Sequence, residues 1–422
     1  MSGPLAGAFV QLGATRDGLD PYLSCARRRG LPAVLVETPA YLRWRRALGR
    51  QPFDLEVPVE QPQDAARVRA ALAAARVRPS LLLTGFERYA QAGFELARSL
   101  EAAPWPQCGA EFRPLDKQRQ REALAASCAG LPQPRFALVA AGRPVEDLGY
   151  PQVLKPVDGG GGLGVLLADS PSAAARALAR IAALSNYGGG AFTAVMAEEF
   201  VKGPEVSLQG IAYQGEPVLL SVCEKITALE EVADDPDLRG FREVGHVARP
   251  GTTATADLRE LARLCLAATG YRQGPFHVDA ILGGAGPVFV EMGFRLSGGG
   301  LVSLVEQATG TDWAAEVFRV HLDGTAPRLG QSRPGSGAAG QVAVVSAAEL
   351  DAAAALAGPG ISVQVQPSAA PPTDGLSAAD LDVLGSDLMR HTGSIGRVVL
   401  VGGRPDEIHR RLESLVLTRK AG

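Results

Sequence analysis

The chain has 422 residues, 46% of them hydrophobic, with five cysteines and a net charge of −3. This length supports two or three domains, and the near-neutral charge argues against nucleic acid as the main partner. No run of 18 apolar residues and no signal-peptide pattern occurs, and Cys25, Cys108, Cys128, Cys223 and Cys265 form no CxxC, so no membrane span is expected and the thiols read as reduced in a cytoplasmic protein.

The first hundred residues alternate strand and helix signals. Strands are predicted at 7–12, 32–37 and 80–84, and helices at about 19–29, 64–77 and 87–101. That alternation predicts an open, mainly parallel α/β sheet. The turn after the first strand, LGATRDG, is not G-x-G-x-x-G, so this unit is not read as nucleotide-binding.

From 113 the pattern changes. Asp116-Lys117 opens a helix to about 129, and LPQPRFALV leads into a strand. Two short apolar runs, Val153–Val157 and Leu163–Leu167, flank four glycines, Gly159 to Gly162, and predict a hairpin. Asp169 or Ser170 is positioned to cap a helix from Pro171. A strand over 193–197 follows, then a long hairpin over 205–227 turning at Gln214-Gly215. Next come a helix over 257–269 and a second hairpin with its loop at Gly283–Gly286. PGSGAAG near 334 reads as a linker. Short strands at 341–346, 361–366 and 397–401 and a helix at 405–416 complete the chain.

Three features bear chemistry. The four glycines are costly to order. They make either a flexible surface turn or a bare backbone that lays N–H groups over phosphate oxygens. No helix follows them directly and no GK[ST] ends them, which excludes a dinucleotide loop and a Walker loop. Only five of the 42 basic residues are lysine: 117, 155, 202, 225 and 420. Lys155 lies inside an apolar strand, where a bystander charge would be expensive. In the second hairpin, folding about Ala285 sets Asp279 opposite Glu291. Adjacent carboxylates repel, so this is either a solvated edge pair or a pair of hard oxygen ligands for Mg²⁺. Arg295, before Ser297-Gly298-Gly299-Gly300, is placed to hold an anion beside such a metal.

Taken together, Lys117 to Arg295 resembles an ATP-grasp ligase. One lysine (Lys117) opens the central domain, and a second (Lys155) precedes the glycine loop, here including Gly160, Gly161 and Gly162. An "EE-F-V-x-G-x-E" hinge for adenine and ribose maps onto Glu198, Glu199, Phe200, Val201 and Glu205. The resemblance implies Asp279 and Glu291 as metal ligands and Arg295 as the arginine of "E-x-N-x-R". FREVGHVARPG resembles the "EIGHxxP" segment of amino-acid ligases, which places Glu243 and His246 at substrate positions. The departure is Gly293, where the family often has Asn as a further metal ligand, which leaves one metal or two.

The fold implied is α/β (α+β), an ATP-grasp fold. Residues 1–112 are expected as an N-terminal open α/β domain, 113–325 as the ATP-grasp domain with a lid at about 145–197, and 326–422 as a C-terminal mixed domain. The activity implied is ADP-forming ligation of an amino-acid or other carboxylate to an amine. The cofactors are ATP and Mg²⁺ (or Mn²⁺), the substrates are small molecules, and a homodimer is one assembly left open. A biotin-carboxylase-like or purine-pathway-like bicarbonate-activating carboxylase and a non-catalytic ATP-binding module are the alternatives.

Overall fold

The computed structural model describes residues 5–16, 19–103, 116–127, 131–139, 144, 145, 147–187, 189–232, 235–330, 337–368 and 372–417. Its first unit comprises β1 (Leu5–Leu12), α1 (Pro21–Arg28), β2 (Ala33–Glu37), α2 (Pro39–Ala47), β3 (Leu55–Pro58), α3 (Ala65–Ala74), β4 (Val77–Thr84) and α4 (Ala90–Ser99). The four strands form a parallel sheet in the order β3-β2-β1-β4, as the alternation predicts. Caps explain several helix starts. Thr38 accepts from the Tyr41 N–H before α2, and Asp64 accepts from Ala66 and Arg67 before α3. Both α2 and β3 lie in a stretch without a sequence assignment. Their signal is weak because α2 carries three arginines among its nine residues and β3 is only four residues long.

The second unit starts with α5 (Lys117–Ser127), β5 (Phe136–Leu138), β6 (Gln152–Pro156), β7 (Leu166–Ala168), α6 (Pro171–Ala182) and β8 (Val195–Glu199). It continues with β9 (Glu205–Tyr213), β10 (Glu216–Val232), β11 (Asp235–Pro250), α7 (Ala256–Thr269), β12 (Gln273–Gly283), β13 (Gly286–Gly293), α8 (Leu301–Thr309) and α9 (Trp313–Phe318). The C-terminal part adds β14 (Ala339–Val344), α10 (Ala347–Ala353), β15 (Ile361–Pro367), α11 (Ala378–Thr392), β16 (Gly396–Gly402) and α12 (Pro405–Leu417). One twelve-stranded sheet runs β13-β12-β9-β10-β11-β7-β6-β8-β5, with β14 joined to β11 and carrying β16 and β15. Of the expected linker PGSGAAG, residues 334–336 lie outside the described residues, and β14 takes up its last two, Ala339 and Gly340.

Several local expectations hold. Ser170 caps α6 through the Ala173 N–H. Gln214 (φ 56°) and Gly215 (φ 91°) make the left-handed turn between β9 and β10. The strand β11 was not foreseen. Its sixteen residues mix charges with two glycines and two prolines, and its pairing partners, β10, β7 and β14, lie on separate segments. The two units share a core in which Phe9 and Tyr22 meet Phe318, with ring centroids 5.0 Å and 6.0 Å away. Buried Trp313 donates its indole N–H to the Gly210 carbonyl (3.2 Å), which ties α9 to the central sheet. Among the described residues no helix is long and apolar enough to cross a membrane.

Candidate active site

The β6–β7 hairpin, the end of β8 and one face of β9–β13 enclose a cavity of about 590 Å³. The hairpin pairs Val153 with Leu167 and Leu154 with Leu166. Its loop needs glycine at Gly161 (φ 61°) and Gly162 (φ 76°), conformations that other residues adopt at a cost of about 1 kcal/mol or more. A side chain at Gly160 would meet nothing within 4 Å. The Lys117 Nζ donates to the Gly159 carbonyl (2.6 Å), so the first lysine already holds the loop.

The second lysine, Lys155, also lines the cavity but has different partners. The Lys155 ammonium lies 2.7 Å from Glu198, and buried Arg121 completes that cluster. Burial pulls the Lys155 pKa down, opposed by Glu198. Burial alone would raise the Glu198 carboxyl, but Lys155 and Arg121 outweigh it and hold it below its ordinary value. The other hinge residues divide. Glu199, Phe200, Val201 and Glu205 all line the cavity, but Glu199 also reaches Arg135 (2.7 Å) and Glu205 turns to Lys225 (2.5 Å).

Asp279 and Glu291 face each other in register, as the sequence predicts, but for a reason it does not show. The hairpin closes at Gly283 and Gly286, and Ala280 pairs with Phe289. A regular ladder would then set Asp279 opposite Val290. A β-bulge at that point shifts the pairing by one residue and brings in Glu291. Arg121 donates to the carbonyls of Phe289 and Val290, both at 3.1 Å, on either side of the extra residue. One position earlier on α5, the Gln120 side chain both donates to Met292 O (2.7 Å) and accepts from Met292 N (2.8 Å), pairing with the edge of β13. Lys117, Gln120 and Arg121 thus share one face of α5. KQRQRE is polar throughout, so periodicity could not single out Gln120 or Arg121.

Like-charge repulsion is not what governs the carboxylate pair. Each carboxylate has its own cation, Glu291 with Lys117 (3.0 Å) and Asp279 with Lys225 (2.6 Å). Asp279 also accepts from Ser207 Oγ (2.5 Å). Burial would raise Glu291, but Lys117 and then Lys225 and Lys155 bring it down to about 2. Burial would lower Lys225, but Asp279, Glu205 and Glu243 raise it well above its ordinary value. Glu205 moves the other way: burial raises it, with Asp279 and Glu243 adding to the effect and Lys225 opposing.

Arg295 lines the cavity, and its Nε lies 2.8 Å from Glu87, contributed by the segment after β4. Glu87 had no signal in the sequence. Ser297 also lines the cavity, and its buried Oγ has no hydrogen-bond partner among the described residues. Glu243 lies 2.8 Å from His246 Nε2 and 3.3 Å from Lys225. Both partners hold its carboxyl low against burial, although it is 45% exposed and solvent screens part of the effect. Buried His246 lies behind Glu243 on β11 and does not line the cavity wall.

Gly293 is explained by its neighbour. A Cβ there would lie 2.1 Å from Cε1 of His277, its cross-strand partner. The imidazole takes the volume that an Asn side chain would need, and His277 lines the cavity.

A family model described as "ATP-grasp domain" matches residues 148–303. Residues 148–303 thus carry an ATP-grasp domain. Dapdiamide A synthase of Enterobacter agglomerans is 26% identical over 163 residues, which cover 38% of this chain and 37% of that protein. Among solved structures, L-amino acid ligase from Bacillus licheniformis superposes with a TM-score of 0.65 at 18% identity, covering 98% of each chain. Carboxyaminoimidazole ribonucleotide synthase from Aspergillus clavatus superposes with a TM-score of 0.67 at 15% identity, covering 97% of each. At these identities the structural matches establish the ATP-grasp fold of this chain.

Proposed function

We propose that this ATP-grasp protein is an ADP-forming ligase that joins an amino-acid carboxylate to an amine through an acyl phosphate. The observation carrying the reading is that Asp279/Glu291, Arg295 and Glu243 line one cavity with Lys117 and the glycine hairpin. Its apolar end, with Phe200, Val201 and Ile281, suits a base, and the glycine N–H groups suit phosphates. Asp279 and Glu291 fit a hard cation. Among the described residues no third His, Cys, Asp or Glu completes a metal site, so nucleotide oxygens and water would supply the remaining ligands, as Mg²⁺ prefers. Bound there, Mg²⁺ would neutralise charge on the transferring phosphoryl group.

Lys117 would withdraw charge from the phosphates while it holds the loop. A substrate carboxylate oxygen attacks the γ-phosphorus and ADP leaves. Arg295 would exchange Glu87 for the oxygens of the acyl phosphate. The amine attacks the acyl carbon, phosphate leaves, and the amine's proton is lost. Glu243 would pair with a substrate ammonium, and His246 behind it would orient that carboxylate. The relatives named for dapdiamide and for L-amino acid ligation support this choice of substrates.

The test is product analysis with ATP, Mg²⁺ and mixed amino acids. ADP and phosphate in equal amounts, with a product of two amino acids minus water, are expected. AMP with pyrophosphate, or ADP formed only when bicarbonate is added, would overturn the reading. ATP binding without any turnover would support a non-catalytic module instead.

A further inference from the structure

We propose that Lys225 is an internal counter-ion of the metal site: its ammonium holds Asp279 until a metal–nucleotide complex displaces it, so divalent metal binds only together with nucleotide. The inference rests on the reading of Asp279 and Glu291 as metal ligands given above.

Lys225 is one of five lysines in an arginine-dominated chain, and it lies on β10 facing the cavity. Its Nζ is 2.6 Å from Asp279 Oδ2, 2.5 Å from Glu205 Oε1 and 3.3 Å from Glu243 Oε2. No other residue bridges those three carboxylates among the described ion pairs. Both oxygens of Asp279 are already engaged: Ser207 donates to Oδ1 and Lys225 to Oδ2. A divalent ion that binds this carboxylate must come close to the ammonium already on Oδ2. Two cations sharing one buried carboxylate repel strongly, since a metal would sit about 2.0–2.1 Å from the same oxygen.

On the other side of the pair, Lys117 spans Glu291 and the glycine loop. Metal alone must therefore draw two ammonium groups away from the Asp279–Glu291 pair, and among the described ion pairs it leaves Lys117 without a carboxylate. Metal with nucleotide differs, because the phosphates offer new partners to the ammonium groups. Lys225 also keeps Glu205 and Glu243 when it leaves Asp279, so displacement strands no charge. A neutral side chain at 225 should thus expose Asp279 to metal in the absence of nucleotide. Glu243 belongs to the proposed substrate end and Glu205 to the proposed ribose end, so one ammonium spans the cavity from nucleotide to substrate.

The test measures Mn²⁺ binding to the full chain by electron paramagnetic resonance, with and without a non-hydrolysable ATP analogue. Wild-type protein is expected to bind Mn²⁺ tightly only with the analogue. K225M and K225Q are expected to bind Mn²⁺ alone at least tenfold more tightly than wild type, and K225R is expected to restore exclusion. Adding D279N to K225M should abolish the gain. Circular dichroism identifies a variant that fails to fold, and using both Met and Gln guards against that outcome. Equal Mn²⁺ affinity without nucleotide in wild type, K225M and K225Q would overturn the role of Lys225 and leave the metal reading standing. Absence of Mn²⁺ binding even with the analogue would instead overturn the metal reading, and the proposal with it.

Discussion

Replacing Gly293 by alanine should destabilise the protein when His277 is present and stabilise it when His277 is absent. In the structure the new Cβ would lie 2.1 Å from Cε1, 2.5 Å from Nε2 and 2.9 Å from Nδ1 of the imidazole. The ring must move, and overpacking of this kind costs about 1–3 kcal/mol. Gly293 lies outside the left-handed region, so its backbone is open to alanine. With the ring removed, alanine should then stabilise by about 0.4–1 kcal/mol, through lost freedom of the unfolded chain. The two effects have opposite sign and imply a coupling of about 1.5–4 kcal/mol. Denaturant unfolding of wild type, G293A, H277A and the double variant measures that coupling directly. G293A effects that agree within about 0.5 kcal/mol in the two backgrounds would refute the reasoning, because sites that do not touch are additive to that extent. The same geometry predicts that G293N will not gain a metal ligand unless His277 is also reduced.

Other perturbations read the remaining charges. Lys155→Met should weaken ATP binding at least tenfold and slow turnover, because it removes a cavity ammonium and leaves buried Glu198 to Arg121 alone; calorimetry giving wild-type affinity would count against it. Asp279→Asn and Glu291→Gln should each abolish metal-dependent turnover and also lower stability in metal-free buffer, since the first removes one of the three carboxylates around Lys225 and the second takes the carboxylate partner of buried Lys117; a rise in thermal midpoint would mean that repulsion dominates after all. Glu291 is held at about 2 against an ordinary 4.5, so its contribution is complete above about pH 4.5 and is lost as pH falls toward 2. Lys117→Met should flatten that acid limb in a pH series of unfolding curves, and an unchanged slope would separate Glu291 from Lys117. Arg121→Met should loosen the bulge and lower Mn²⁺ affinity in the presence of nucleotide analogue although Arg121 is fully buried, and unchanged affinity would show that the hairpin sets its own register.

Local chemistry in the sequence was enough for much of the scaffold and for part of the site. The alternating βα pattern of the first hundred residues, the glycine hairpin, the Gln214-Gly215 turn and the α6 cap depend on residues close in sequence, and each is legible there. The scarcity of lysine drew attention to Lys117 and Lys155, and motif order supplied Asp279, Glu291 and Arg295. Pairings between distant segments were not legible. Glu87 meets Arg295 only because the first sheet packs beside the second unit, and β11 becomes a strand only through partners on three other segments. Lys225 stood in the lysine count without a role, because its three carboxylates lie 18, 20 and 54 residues away in sequence. The Asp279–Glu291 pair shows the boundary most clearly. Hairpin symmetry about Ala285 named the right two residues, whereas the turn itself closes half a residue away and a bulge restores the match. Arg121 reaches that bulge from 168 residues earlier in the chain. A strand's own residues set its alternation, but a one-residue shift in pairing leaves that alternation almost unchanged in sequence. The side chains of another element, packed against its edge, decide which carboxylates meet.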